Sequence, residues 1–288
     1  MAQWSYTGPK RFLSCKQQRV PEPFQVIFVY KNPFRMTVHR FLIPTMPRNG
    51  TVELPPAEAH HAARVLRCSK EDAIVLFDGL GNEALATIQS IDKRNVVVKI
   101  DSYVFAPRDH SGRLHFAISI PKGDRQRNTI EKLVELGADS LSPLVTTRSV
   151  AIVNEANTER IERYVVEACK QCGRNRLMSI RPALNLNDIE PYAKSLAESS
   201  VPAAVWILHP KIEGQTIHTI HQANALPQAK QKLLFLIGPE GGFTDEEVVL
   251  AVRQGARILS LGDRIQRVET ATATAAVLGH CWIGPFDQ

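Results

Sequence analysis

Apolar and polar positions follow two different rhythms along the chain, and the change falls near residue 107. From Met36 to about Ala106 the apolar runs are short and bounded by turns. Arg40 to Ile43 opens the series, Gly50 to Leu54 follows, and Glu58 to Leu66 has the spacing of a short helix. Ala73 to Asp78 and Glu83 to Gln89 flank the turn Gly79-Leu80-Gly81-Asn82, and Asn95 to Ile100 supplies another strand. The pattern predicts a small β-rich barrel or sheet of roughly seventy residues. On its helix, His60 and His61 stand beside Arg64 and Arg67; one histidine reads as structural and the arginines as candidates for a phosphate backbone.

Pro107 to Gly112 is polar and turn-like and marks the boundary; beyond it strands and helices alternate. Leu114 to Ile120 is a strand ending in Pro121-Lys122-Gly123-Asp124-Arg125. The next helix carries Ile130, Leu133 and Val134 on one face and stops at Gly137. Leu141 to Val145 is a strand, and Ile161, Tyr164, Val165, Ala168 and Cys172 mark a longer helix ending at Gly173-Arg174. Arg181, Pro182 and Leu184 lead into a short helix. Ala203 to Leu208, Leu233 to Ile237 and Arg257 to Leu261 are further strands, and an alanine-rich helix runs from about Glu269 to Leu278. This predicts an α/β domain with a mainly parallel sheet, which brings Pro121–Arg125, Gly238–Gly242 and Leu261–Arg264 to one edge if the strands run the same way.

Leu233 to Gly242, LLFLIGPEGG, organises that edge. Five consecutive apolar residues suit a strand covered on both faces. Gly238, Pro239, Glu240, Gly241 and Gly242 then strip side chains from the position where such sheets present ligands. Thr244, followed by Asp245, Glu246 and Glu247, has the form of a helix start with a capping box. Neither a GxGxxG fingerprint nor a P-loop is present, and the acidic residues disfavour phosphate at this turn. A ligand neutral or cationic at its reacting end suits it better.

Charge changes this picture only where it is located. Of the net +6, residues 1–35 carry six basic side chains against one acidic. Residues 113–182 carry twelve against eight, and 183–288 eight against eleven. The basic first segment, rich in proline, is expected to be an organelle-targeting arm or a translated upstream region with the start at Met36. Cys15, Cys68, Cys169, Cys172 and Cys281 are odd in number and scattered, as in a reducing compartment such as the cytoplasm. Cys169 and Cys172 make a lone CxxC within a helix, without a second pair for a metal, and no apolar run approaches membrane-spanning length.

After the last strand Gly262, Asp263, Arg264, Arg267, Glu269 and Thr270 gather, followed by the small residues Ala271, Ala273, Ala275 and Ala276. Arg267 and Glu269 read either as a surface pair or as charges positioned by the glycine turns. No nucleophile elbow, HExxH or paired-carboxylate signature occurs.

GPEGGF at 238–243, LGDRIQRVETATA at 261–273, VELGADSLSPLVTTRS at 134–149, HRFLIP at 39–44 and HHAARVLR at 60–67 together resemble one family. It is the RsmE-type 16S ribosomal RNA uridine N3-methyltransferases of the SPOUT superfamily. The resemblance runs in order from about Met36 to Ile283. It implies a PUA-like RNA-binding domain over 36–107 and a SPOUT domain over 113–288 with a deep trefoil knot. It further implies a homodimer, S-adenosyl-L-methionine as cofactor and small-subunit ribosomal RNA as partner; the modest charge outside residues 1–35 points to an assembled 30S particle as the form bound. The implied cofactor positions are Leu236, Ile237, Gly238, Pro239, Glu240, Gly241, Gly242, Leu261, Gly262, Ile265, Arg267, Thr270 and Ala271. The chemistry of that methyl transfer makes Arg267 the candidate for stabilising charge on uridine O2 or O4 and Glu269, with Glu240, a carboxylate for the sulfonium; these give Arg267 and Glu269 as catalytic candidates, with the general base unassigned. Arg40, Arg64, Arg67, Lys122, Arg125, Lys132, Arg148 and Arg174 match basic positions expected near RNA; no metal or membrane is implied.

The chain departs from the family where Leu-Arg-Thr-Glu-Thr-Ala is common. It has Gln266-Arg267-Val268-Glu269-Thr270-Ala271, and Gln266 and Val268 are expected to weaken cofactor packing. Two other readings stay open: a SPOUT methyltransferase acting on a ribose 2′-oxygen or another base, and a non-catalytic RNA-binding assembly factor.

Overall fold

A computed structural model of the chain describes residues 38–92, 95–106, 114–149, 154–197, 201–210 and 231–283. The expected arm at 1–35 and the boundary at 107–112 lie outside the described residues. The first sheet contains β1 (Arg40–Leu42), β2 (Gly50–Glu53), β3 (Ala73–Phe77), β4 (Asn82–Ile91) and β5 (Val96–Phe105), ordered β1-β3-β4-β5-β2. β1 runs parallel to β3 and the remaining pairs are antiparallel. Register shifts at Leu85/Ala86 and Ile88/Ser90 bend β4 against β5. The curled sheet holds its own core, including Phe41, Ile43, Ile74, Leu76, Ile88 and Val98.

The helix expected over Glu58 to Leu66 is divided. α1 (Pro56–His60) passes into a wider turn over His61–Val65, in which the Leu66 amide donates to the His61 carbonyl at 3.0 Å. Ala59 and Ala62 are buried beneath it, Arg64 and Arg67 are exposed, and His61 packs edge-on to Phe41 at 6.3 Å between ring centroids.

The second sheet is parallel throughout. β6 (Leu114–Ile118), β7 (Ser140–Val145), β8 (Ser179–Ile180), β10 (Ala204–Leu208), β11 (Leu233–Ile237) and β12 (Arg257–Leu259) lie in the order β12-β10-β11-β6-β7-β8, with β9 (Leu184–Asn185) also beside β7. Every residue of β6 and β11 is buried, because helices cover both faces. α2 (Asp124–Glu135), α3 (Glu155–Cys172) and α6 (Val268–Ile283) share a core with Phe116, Leu141 and Phe235 on one face. α4 (Ile189–Leu196) and α5 (Asp245–Arg253) share the other with Val205, Leu234, Leu236 and Ile258.

The ends of these helices follow from local chemistry. The Asn154 side chain accepts the Asn157 amide at the start of α3, and Gly173, at φ 81°, ends it. α6 starts at Val268 and runs to Ile283, beyond the Leu278 read from the alanine run. Its close approach to the sheet depends on Gly279, where a Cβ would lie 2.6 Å from Leu114 Cδ2. Of the cysteine pair, Cys169 is buried and Cys172 exposed.

Polar contacts join the two sheets' surroundings. Arg40 donates to Glu83 Oε2 at 3.0 Å and to Asn175 Oδ1, while the Gly81 amide donates to the Asn175 carbonyl at 3.1 Å. The Lys170 ammonium pairs with Glu58. Arg40 and Arg174, both expected near RNA, have partners within the chain. Arg40 carries 10% side-chain exposure and is committed to this junction, whereas Arg174 is 4% exposed and donates to the Val134 carbonyl at 3.2 Å.

Candidate active site

Because β6, β10, β11 and β12 are parallel, the segments leaving their C-terminal ends meet at one edge, as the sequence pattern implied. A cleft of about 290 Å³ lies there. Ile237, Gly238, Pro239, Glu240, Gly241 and Gly242 form one wall, and Leu261, Gly262, Ile265 and Ala271 line the other. Gly262 takes φ 107°, which a side chain would strain, so the second wall turns sharply out of β12. The volume is at the small end of the ~300–1,000 Å³ range usual for small-molecule sites.

A second depression of about 450 Å³ adjoins it, lined by Ser119 to Lys122, Asp124 and Arg125 from the end of β6. The two share Pro239, Glu240 and Val268. Arg125 forms an ion pair with Glu240 across their junction. Both partners are about half exposed, so the pair aligns the two walls more than it stabilises them.

The glycine turn is held from outside the cleft. Thr244 and Glu247 form the expected capping box of α5. The same Glu247, 8% exposed, also accepts the Thr147 amide at 2.6 Å, so its two carboxylate oxygens tie α5 to the loop after β7. Arg148, from that loop, donates to the Gly241 carbonyl at 2.5 Å. The backbone amide of Glu246 and the Thr244 hydroxyl, with Arg148 nearby, hold the Glu246 carboxyl below the ordinary range.

Two buried oxygens stand out against this satisfied background. Gln266 Oε1 and Glu269 Oε2 are inaccessible to solvent and accept no hydrogen bond within the described residues. Gln266 lines the cleft, and Glu269 lies between the lining residues Val268 and Ala271. A buried acceptor left unmatched costs about 1–3 kcal/mol, and Gln266 Oε1, on the cleft wall, is placed where a ligand donor could meet it.

Other expected positions fall elsewhere. Leu236 is wholly buried in the α4–α5 core, beneath the wall rather than on it. Arg267 and Thr270 are exposed and, with Glu269, lie outside the cleft lining. No ion pair joins Arg267 to Glu269 among the described residues, so the two do not form the surface pair that their spacing allows. Val268 is 5% exposed and packs with the α6 core while lining both depressions. Leu208, His209 and Pro210 at the end of β10, with Phe243 and Leu259, line the cleft although the sequence pattern does not assign them to it, while Arg264 and Gln266 line it within the segment 261–267 expected there. The shared edge is the signal for the β10 residues, since that strand ends where its neighbours do.

Among the remaining basic positions, Lys122 and Arg148 are exposed at this edge. Lys132 is paired with Glu135 at 2.8 Å, which raises its ammonium pKa above the ordinary value. No group of three or more His, Cys, Asp or Glu side chains suited to a metal occurs among the described residues, nor is any of their helices long and apolar enough to cross a membrane.

Residues 108–279 match the RNA methyltransferase domain model, and residues 54–101 match the RNA methyltransferase PUA domain model. Fold and cleft thus define a PUA-bearing RNA methyltransferase. A ribosomal RNA small subunit methyltransferase E from Rickettsia conorii is 31% identical over 247 residues, which are 82% of this chain and 94% of the relative. The Synechocystis protein of the same name is 28% identical over 242 residues, 84% of this chain and 77% of the relative. The chain belongs to the ribosomal RNA small subunit methyltransferase E family. Among solved structures, the Neisseria gonorrhoeae family member bound to S-adenosyl methionine superposes with TM-score 0.69 at 27% identity, covering 84% of this chain and 96% of that one. A Legionella pneumophila protein with bound S-adenosyl methionine gives TM-score 0.73 at 29% identity, covering 85% and 97%.

Proposed function

We propose that the chain transfers a methyl group from S-adenosyl-L-methionine to N3 of a uridine in small-subunit (16S) ribosomal RNA. The observation that carries this reading is the cleft between the glycine turn and residues 261–271, with the buried acceptor Gln266 Oε1 on its wall. Its residues fit the cofactor: apolar walls for the nucleoside, and the Glu240 carboxylate for a cationic centre, with Glu269 close behind the wall at the start of α6. When bound, S-adenosylmethionine supplies an electrophilic methyl on a sulfonium.

The chain's own residues would serve the target base. Uridine N3 bears a proton and lies on the pairing edge, so the base must leave its helix and lose that proton. A guanidinium beside O2 or O4 stabilises the charge that develops; Arg267, exposed at the start of α6, is the candidate. Glu269 is the second catalytic candidate, acting through its carboxylate at the cofactor side. Water or a group from a second protomer accepts the proton. Holding the base in line with the methyl, in the depression beside Arg125, supplies much of the rate.

The finer features belong to the same proposal. The N-terminal sheet, with Arg64 and Arg67 exposed, contacts the RNA. The chain acts as a homodimer, to which the exposed apolar residues Ile265 and Val277 lend support. The path from edge strand β12 past the glycine turn to α6, packed across β11, is consistent with a trefoil knot. An assembled 30S particle is the preferred substrate.

The test is transfer of labelled methyl to small subunits and to naked ribosomal RNA lacking the modification, followed by mapping of the labelled atom. Label at N3 of one uridine is expected. Label on a ribose 2′-oxygen would redirect the assignment within the superfamily, and cofactor binding without transfer to either RNA would overturn it.

A further inference from the structure

A third depression continues the same edge and differs from the first two. The start of α2 contributes Pro121, Lys122, Gly123 and Gln126, and the start of α3 contributes Asn154, Ala156, Asn157, Arg160 and Arg163, around about 610 Å³. It shares Pro121 and Lys122 with the depression beside Arg125, which in turn shares Pro239, Glu240 and Val268 with the cofactor cleft. The three form one path along the C-terminal edge of the sheet, becoming more cationic away from the cofactor.

The charge in this groove is uncompensated among the described residues. Lys122, Arg160 and Arg163 line it, all three are exposed, and none of the lining residues is a carboxylate. Among the described residues no ion pair engages any of the three. Elsewhere on the same two helices the cations are matched: Arg127 to Glu131 and Glu167, Lys132 to Glu135, and Lys170 to Glu58. The floor is built rather than adventitious. Gln126, 2% exposed, donates to Asn157 Oδ1 at 3.0 Å, and Arg160 Nη2 donates to the same oxygen at 2.7 Å, which fixes the guanidinium at the rim.

We infer that this groove holds backbone phosphates of the RNA strand next to the methylated nucleotide, with Arg160 and Arg163 as RNA-binding residues beside Lys122. The inference rests on the proposed function and names how its substrate is held. A base drawn out of a helix leaves flanking phosphodiesters that must be carried past the reaction centre. A groove offering guanidinium forks matches phosphate oxygens. Among the described residues no aromatic side chain lines it, so these offer no stacking platform for a second base.

The experiment measures binding of a fluorescein-labelled oligouridylate across a salt series, with S-adenosylmethionine affinity and methyl transfer to small subunits read in parallel. R160A/R163A is expected to weaken oligouridylate binding about tenfold and to lower the log–log salt slope by roughly 0.7 for each phosphate no longer neutralised. It should raise KM for small subunits and leave cofactor affinity unchanged. R160K/R163K should retain most of the salt slope, and R253A, on the opposite face of the sheet, should change none of these. Unaltered binding and slope in R160A/R163A, with the wild type methylating RNA, would overturn the inference and leave the function standing. Wild-type protein that binds cofactor but transfers methyl to no RNA would instead overturn the function, and this inference with it.

Discussion

Arg148 Nη1 donates to the Gly241 carbonyl at 2.5 Å and so ties the loop after β7 to the glycine turn that walls the cleft. Arg148 thereby has a structural task besides any contact with RNA. A single charge-assisted bond at an exposed position contributes about 1 kcal/mol or less to folding. Its effect on the turn's conformation is larger than its effect on the whole fold. Arg148→Ala should therefore leave the midpoint of urea unfolding nearly unchanged while weakening S-adenosylmethionine binding about three- to tenfold by calorimetry. Unchanged cofactor affinity would show that the turn needs no tether from β7.

Gln266 separates the stability of the free protein from that of the complex. Its Nε2 donates to the Leu261 carbonyl at 3.5 Å, a weak bond, and its Oε1 is buried without a donor. Gln266→Leu removes the unmatched oxygen and should stabilise the ligand-free protein by about 1 kcal/mol. If the cofactor supplies the missing donor, the same substitution loosens cofactor binding about tenfold, whereas the family's leucine at this position would lead one to expect tighter packing and tighter binding. Thermal shifts with and without S-adenosylmethionine measure both effects. A variant stabilised in both states would mean that Oε1 is not used by the cofactor.

Gly279 makes a steric prediction. A Cβ there would lie 2.6 Å from Leu114 Cδ2 and 3.1 Å from the Phe235 ring, in the contact between α6 and strands β6 and β11. Both partners are buried side chains on fully covered strands, so little room exists for them to yield. Gly279→Val should destabilise the protein by about 2–3 kcal/mol, read as a lower urea midpoint with unchanged slope. A midpoint within error of wild type would mean that α6 shifts freely along the sheet.

Much of this architecture is legible because it is written in short stretches. The five apolar residues of β11, the capping box at Thr244 and Glu247, and Gly173 at the end of α3 each encode their conformation locally. The glycine turn announces a ligand edge for the same reason. What cannot be read depends on segments far apart in the chain. Arg40 carries the charge of an RNA contact, yet Glu83 and Asn175, 43 and 135 residues away, claim it. Arg160 and Arg163 are unremarkable singly, and only the packing of α2 on α3 lines one groove with them and with Lys122, which the family resemblance already set near RNA. His209 and Pro210 reach the cleft because β10 lies between β11 and β12, an order that hydropathy does not specify.

His61 links the same packing to pH. Burial lowers its pKa below the ordinary 6.5, and the nearby Lys170 ammonium acts in the same direction, with a smaller like effect from His39; Glu58 and Glu167 oppose it. Between the folded-state value and 6.5 the unfolded chain binds the proton more readily than the folded protein. Stability from this group is therefore complete above 6.5 and is lost as pH falls through the folded-state value. Thermal midpoints measured from about pH 7.5 to about pH 5 should decline more steeply in the wild type than in His61→Gln, which cannot take up that proton. Lys170→Met should lessen the wild-type decline, since it removes a repelling charge, although it also strips Glu58 of its partner. Parallel pH profiles for wild type and His61→Gln would place the acid sensitivity in the carboxylates instead.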